Sequence, residues 1–188
     1  MIIGVPKEIK LQEHRIGLTP ESVKILHEKN HKVLVENNAG FEAGFSNADY
    51  KKSGAVIYTN AKDIFKDADI IVKVKEPQMN EVKMIREDQI IYTYLHLAAA
   101  RELTEGLIKS KAVCIAYETV TDDNGRLPLL APMSAVAGRM SIQAGAHSLE
   151  KNQKGRGLLL GGAPGVEPAN VVILGGGVVG ENAAIIAT

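Results

Sequence analysis

Apolar residues along this chain fall into short β-branched and aliphatic runs, each separated from the next by a stretch of helical spacing or a polar turn. Ile2–Val5 opens the series as a strand. Thr19-Pro20-Glu21 then reads as a helix start, with Thr as cap and Pro at the first helical position, and the helix is expected to run to about Lys29. Lys32–Glu36 follows as a strand, and Ser46 caps a helix that holds Asp49 and Tyr50. Val56–Tyr58 is a short strand, Asn60 caps another helix, and residues 70–74 form a strand that Pro77 ends. Residues 89–94 and 112–117 are two further strands, on either side of a helix over about 99–110. Strands alternating with helices indicate a parallel sheet covered on both faces. Right-handed crossovers then put the carboxyl ends of all its strands on one edge.

The pattern changes after residue 120. Residues 121–128 are turn-rich, with Asp123-Asn124-Gly125 at their centre, and mark a domain boundary, so the expected division is 1–128 and 129–188. Ser134 opens a helix from about 135 to 151, in which Gly138, Ser141 and Gly145 would permit close packing. A glycine-rich loop covers 155–165, and residues 170–174 read as a strand running into Gly175-Gly176-Gly177-Val178-Val179-Gly180. Gly175, Gly177 and Gly180 match G-x-G-x-x-G between a strand and a helix-compatible run, which is the context this dinucleotide-binding motif requires. The first glycine makes the tight turn, the second lets the backbone approach a pyrophosphate, and the third allows close helix–strand packing. The following helix offers free N–H groups and a partial positive charge to the phosphates. Only eight residues follow Gly180. A βαβ unit takes about 30, and the acid that grips the ribose lies about 20 further on. The expectation is therefore a piece of a longer protein, carrying a Rossmann-like or flavodoxin-like α/β domain and the truncated start of a Rossmann NAD-binding domain. The apolar face left on that incomplete domain is expected to be aggregation-prone.

Composition removes several classes. Basic and acidic residues number 22 each and interleave, so no basic field attracts nucleic acid. No stretch approaches the ~18 apolar residues of a membrane span, and the N-terminus has no secretory pattern, so a cytoplasmic protein with no membrane partner is expected. Cys114 is the only cysteine, which excludes an intrachain disulfide, and its apolar run makes it a small hydrophobe rather than a reactive thiol. No Cys pair occurs and no metal site is expected, and no G-x-S-x-G nucleophile elbow occurs.

Ligands of open parallel sheets sit beyond the carboxyl ends of the strands. Lys73 and Lys75 lie there, two apart and on one strand face, as a ligand-facing pair or as two solvated lysines. His96, in Tyr94-Leu95-His96-Leu97-Ala98, is expected to be partly buried, as a proton carrier near neutral pH or a core histidine. Arg15, between the first strand and the Thr19-Pro20 helix start, can clamp a carboxylate bidentately or stand as a surface arginine. His14, His27, His31 and His147 read as surface residues.

Taken together, Gly4-Val5-Pro6-Lys7-Glu8, the segment 15–20, Lys73-Val74-Lys75-Glu76-Pro77, Tyr94 to Ala98, Ala116-Tyr117-Glu118-Thr119-Val120, Leu129-Leu130-Ala131-Pro132-Met133-Ser134 and the segment 161–180 resemble the alanine dehydrogenase family. That family sits in a larger group that includes proton-pumping nicotinamide nucleotide transhydrogenase. The resemblance runs nearly end to end and implies NAD-dependent oxidative deamination of L-alanine to pyruvate and ammonia. Arg15 would bind the substrate carboxylate, and Lys75 would contact the substrate and polarise its carbonyl or imine. His96 would act as acid/base, Tyr94 and Met133 would line the pocket, and Ser134 would touch the nucleotide. Gly175, Gly177, Val178, Val179 and Gly180 would hold the pyrophosphate. The resemblance further implies a homohexamer and a catalytic aspartate outside these residues. Ala135 and Ala163 depart from the family, which more often has Glu and Val there; the first could alter contacts at the nucleotide mouth.

Three other readings compete. A transhydrogenase nucleotide-binding component would need no amino-acid pocket, against the combination of Arg15, Lys75 and His96. A lysine-forming saccharopine dehydrogenase relative shares the early arginine segment but not the 117–134 region. An inactive interaction or folding module is the third, and the isolated 188 residues are expected to lack activity.

Overall fold

The computed structural model describes all 188 residues and divides into two compact units, Met1–Val120 and Thr121–Thr188. The first unit runs β1 (Ile2–Val5), α1 (Pro20–Glu28), β2 (Lys32–Glu36), α2 (Asn47–Lys52), β3 (Val56–Tyr58), α3 (Ala61–Asp67) and β4 (Ile70–Val72). It closes with α4 (Met79–Val82), β5 (Ile90–Thr93), α5 (Arg101–Ser110) and β6 (Val113–Ala116). Every pairing is parallel, in the order β3-β2-β1-β4-β5-β6. The chain therefore winds outward from β1 in one direction, returns, and winds outward from β4 in the other. The crevice of such a sheet opens where the order reverses, beyond the carboxyl ends of β1 and β4.

The helix starts follow the cap chemistry written in the sequence. Thr19 accepts the Ser22 N–H at the head of α1, Asn60 accepts the Asp63 N–H at the head of α3, and Ser46 with Asp49 forms a reciprocal capping box on α2. Period-two alternation then sorts the strand side chains to two cores. Val33 and Val35 join Ile3, Val5, Val23 and Tyr50 on one face. Leu34 joins Ile64, Phe65, Ile71, Ile91 and Leu107 on the other. Burying each such side chain fully is worth about 1.5–3 kcal/mol, which is why a sheet with both faces covered needs no aromatic-rich core. At Gly4 a Cβ would lie 2.5 Å from Ile64 Cγ2, so β1 can pack on α3 only with glycine there.

The departures from sequence expectation are local. β4 stops at Val72 rather than 74, because the chain bends at Val74 and Lys75. The short α4 was not anticipated; its four residues leave no room for an amphipathic period. α5 begins at Arg101, because residues 97–99 are taken up by a separate 3₁₀ turn. β6 ends at Ala116, and a 3₁₀ turn, Tyr117–Thr119, follows it.

The second unit consists of α6 (Ala131–Ser148), an irregular stretch with one short 3₁₀ turn, and α7 (Val178–Ala187). α6 starts three residues before Ser134, with Pro132 in its first turn, so Ser134 lies inside the helix and its N–H bonds to the Leu130 carbonyl at 3.0 Å. Of the small residues on α6, Gly138 is the contact point: a Cβ there would lie 2.2 Å from the Val179 carbonyl of α7, whereas one on Gly145 would meet nothing. Residues 170–174 do not form a strand. No neighbouring segment pairs with them, and Val172 and Leu174 stand 82% and 95% exposed. A strand's backbone groups require a ladder partner, which sequence pattern alone does not supply. No helix is long and apolar enough to cross a membrane.

Candidate functional site

Four loops leave the carboxyl edge of the first unit's sheet, after β1, β4, β5 and β6, and they bring the charged residues together. The loop after β1 is fixed at several points. Gly17 lies against the end of β4, where a Cβ would sit 2.7 Å from the Val72 carbonyl, and the Tyr50 hydroxyl donates to the Leu18 carbonyl at 2.9 Å. Lys7 N–H donates to Glu36 at 2.7 Å, and Lys10 pairs with Glu76 across from β4. Arg15 is thereby held at the rim by a loop that is itself anchored at both ends.

The guanidinium of Arg15 is gripped by its neighbour Glu13, Nε donating at 2.8 Å and Nη2 at 2.5 Å, while the Arg15 backbone N–H donates to the same carboxylate at 2.9 Å. Arg15 beside it, with a smaller push from Lys75, holds the Glu13 carboxyl down at about 2. Arg15 in turn feels Tyr94 and Glu8, so Arg15, Lys75 and Tyr94 share one electrostatic neighbourhood. Tyr94 packs edge-on to Tyr117, with ring centroids 4.9 Å apart, and Tyr92 meets the same ring at 4.3 Å. Burial raises the hydroxyl pKa of Tyr94 and Tyr117, which keeps both neutral beside the cations.

The Glu13 titration is directly checkable. Its folded value lies below the ordinary 4.5, so the stability it contributes is present above the unfolded value and disappears as pH falls through about 2. Carboxyl-resolved NMR should find its midpoint near 2, moving back towards 4.5 in Arg15→Ala. A wild-type midpoint at the ordinary value would remove the clamp.

Lys73 and Lys75 do not share a face. Lys73 is 1% exposed, its Nζ donating to Glu8 at 3.1 Å and to Glu81 at 2.9 Å, with both carboxylates equally buried. Glu8 also accepts the Val74 N–H at 2.6 Å, and Glu81 closes the capping box of α4. Lys73 is thus a structural cation, while the bend at 74–75 turns Lys75 out to the half-exposed rim, where the nearest carboxylate is Glu76 at 4.0 Å.

His96 is exposed rather than partly buried, because the chain turns there into the left-handed region, φ 54°, ψ 37°. That conformation costs a non-glycine residue about 1–2 kcal/mol. Opposing this cost, Glu118 accepts the His96 N–H at 2.7 Å and the Leu95 N–H at 3.1 Å. His96 opens onto a mostly apolar cavity of about 360 Å³, lined also by Leu95, Leu97, Ala116 and Glu118. His14, His27 and His147 are exposed and His31 is half-buried. Cys114 is half-buried in the core, and burial pushes its thiol pKa up, away from nucleophilic use.

In the second unit, Met133 and Ser134 lie half-buried on α6. Ser134 shares a cavity of about 730 Å³ with Gly175, Gly177, Val178, Val179 and Gly180. The loop geometry fits a pyrophosphate. Gly175 sits at φ +102°, a Cβ on Gly175, Gly176 or Gly177 would meet nothing within 4 Å, and Gly180 is pressed so close that a Cβ would lie 1.9 Å from the Gly175 carbonyl. No side chain caps α7, which leaves first-turn N–H groups for an anion.

Glu8, Glu13, Glu81 and Glu118 were not singled out from sequence. The available signal was an acid just after a strand, together with a lysine embedded in Ile70-Ile71-Val72-Lys73-Val74 that needs buried acids to balance it.

Comparison with known proteins places these features. The family model described as "Alanine dehydrogenase/PNT, N-terminal domain" matches residues 4–137, and "Alanine dehydrogenase/PNT, C-terminal domain" matches 141–188. A curated alanine dehydrogenase from Halomonas elongata is 56% identical over 98% of this chain, and the chain spans about half the length of that relative, 50%. Among solved structures, an L-alanine dehydrogenase matches the whole chain at 56% identity and a TM-score of 0.88, with 52% of its own chain covered. A transhydrogenase from Sinorhizobium meliloti matches less closely, at 25% identity and a TM-score of 0.79, with 55% of its chain covered. With a family model spanning most of its length and the parallel sheet and glycine loop both in place, the chain belongs to the alanine dehydrogenase/PNT family.

Proposed function

We propose that this chain carries the substrate-binding domain, residues 1–128, and the linking helix and opening of the dinucleotide-binding domain, residues 129–188, of an NAD-dependent alanine dehydrogenase. The reaction is reversible oxidative deamination of L-alanine to pyruvate and ammonia. The observation that carries this reading is the gathering of Arg15, Lys75 and Tyr94 at the carboxyl edge of the sheet, with His96 two residues beyond Tyr94. Two cations beside neutral tyrosines suit a small α-amino or α-keto acid, and it is their combination with His96 that argues against a transhydrogenase exchanging hydride between nucleotides.

Arg15 binds the substrate carboxylate and fixes the direction of Cα. Lys75 stands by the substrate carbonyl or imine and stabilises negative charge developing on its oxygen. His96 takes and returns protons as water adds to the imine and ammonia leaves. Tyr94 and Met133 each have a substrate-binding role. A bound NAD would supply the hydride-accepting chemistry. Gly175, Gly177, Val178, Val179 and Gly180 would hold its pyrophosphate at the head of α7, and Ser134 would touch the nucleotide. The full-length protein is read as a cytoplasmic homohexamer, and residues 1–188 alone as inactive.

The test is alanine-dependent NADH formation at alkaline pH, by the full-length protein and by the pure 188-residue chain. Activity in the first only is the expected result. Hydride exchange between nucleotides without alanine oxidation would transfer the assignment to the transhydrogenase branch, and activity in the short chain would refute its inactivity.

A further inference from the structure

The proton-transfer role given to His96 requires an oriented imidazole, and nothing polar in the structure holds the ring. The residue's only hydrogen bond is the one from its backbone N–H to Glu118 Oε1 at 2.7 Å. Glu118 stands in the 3₁₀ turn after β6, Tyr117–Thr119, and spans to the exit of β5, where the Leu95 N–H also reaches it, at 3.1 Å to Oε1 and 3.2 Å to Oε2. Two successive main-chain donors converging on one carboxylate form a small anion nest, and a nest of this kind takes a left-handed residue, as His96 is at φ 54°. The same carboxylate acts electrostatically on Tyr94. The backbone direction at residue 96 is therefore set from across the sheet edge, by a side chain on a different strand's loop.

We propose that Glu118 is the positioning residue for His96: its carboxylate captures the Leu95 and His96 N–H groups, locks the left-handed turn, and so aims the imidazole through the main chain rather than through a hydrogen bond to the ring. In the better-known arrangement a carboxylate orients a catalytic histidine by accepting its ring N–H. Here the carboxylate is engaged by the main chain instead, and no protein group hydrogen-bonds the ring. The inference rests on the acid/base role proposed for His96, but the geometric part of it can be measured without that role.

The first arm is spectroscopic and uses the 188-residue chain. A backbone N–H donated to a carboxylate at 2.7 Å should give a His96 amide proton far downfield, and Glu118→Gln should move it upfield while leaving amides of α1 to α3 in place. The second arm is kinetic and uses the full-length enzyme. Misplacing a catalytic group by about 1 Å can cost about 100-fold. Glu118→Ala should therefore lower kcat by about that factor with KM for alanine little changed, and Glu118→Gln, which keeps an acceptor oxygen, should recover part of the loss. In a His96→Ala background, Glu118→Ala should have no further effect. A His96 amide that ignores both Glu118 substitutions overturns the proposal, as does an unchanged kcat in Glu118→Ala. If the amide responds but the wild-type enzyme does not oxidise alanine, the positioning stands and the functional reading falls.

Discussion

Lys73→Met should destabilise the first unit by about 3–5 kcal/mol, seen as a fall in its melting temperature of roughly 10–20 °C. The side chains are of similar length, so the loss does not come from a cavity. Lys73 is 1% exposed and is shared between Glu8 and Glu81, so removing its charge leaves two carboxylates facing one another out of water. Burial already holds the Glu8 pKa above the ordinary 4.5 even with Lys73 present. A carboxyl raised in the folded state contributes stability that is complete below its unfolded value and lost as pH rises through the folded value. The variant should accordingly be least stable at neutral pH and recover in acid. Glu8→Gln leaves one cation with one anion and should cost less than half as much. A Lys73→Met melting temperature equal to that of wild type, at neutral pH, would show that the triad is not the clamp tying the β1 loop to β4.

His96→Asn in the full-length enzyme should lower the rate of alanine oxidation by about 10²–10⁴, the usual worth of a positioned acid/base group. Asparagine is the better replacement because it tolerates the left-handed backbone found here, φ 54°. The Glu118 nest should then survive, so that the lost rate reports the imidazole alone. His96→Ala removes the same ring and adds backbone strain, so it should lose stability as well. Retention of near wild-type kcat in His96→Asn would take His96 out of the chemistry, and attention would shift to Lys75.

Much of the first unit was legible in the sequence because its signals are local. β1, β2 and β3 carry the boundaries that their apolar runs imply, and the caps at Thr19, Ser46 and Asn60 act as their residue types require. The glycine loop was legible for the same reason: the left-handed Gly175 and the tight approach at Gly180 are properties of a few consecutive residues. What could not be read depended on distant partners. Whether Lys73 is a ligand-facing cation or a buried one is decided by Glu8, 65 residues away in sequence, and the exposure of His96 by Glu118. The segment 170–174 has strand composition, but a strand exists only where another segment offers a ladder.

The parallel sheet also has a second rim, opposite the one that carries Arg15, Lys75 and His96. There the helix-to-strand connections are short and pass through left-handed residues at Asn30 and Lys111, both exposed and neither linked to the charged cluster. A four-residue strand spans about 13 Å, and that depth of packed sheet separates these turns from the edge that carries Arg15, Lys75 and His96. Asn30 or Lys111 is therefore a rational attachment point for a dye or a solid support. A protein tethered from this rim would keep the loops that carry Arg15, Lys75 and His96 turned to the solution.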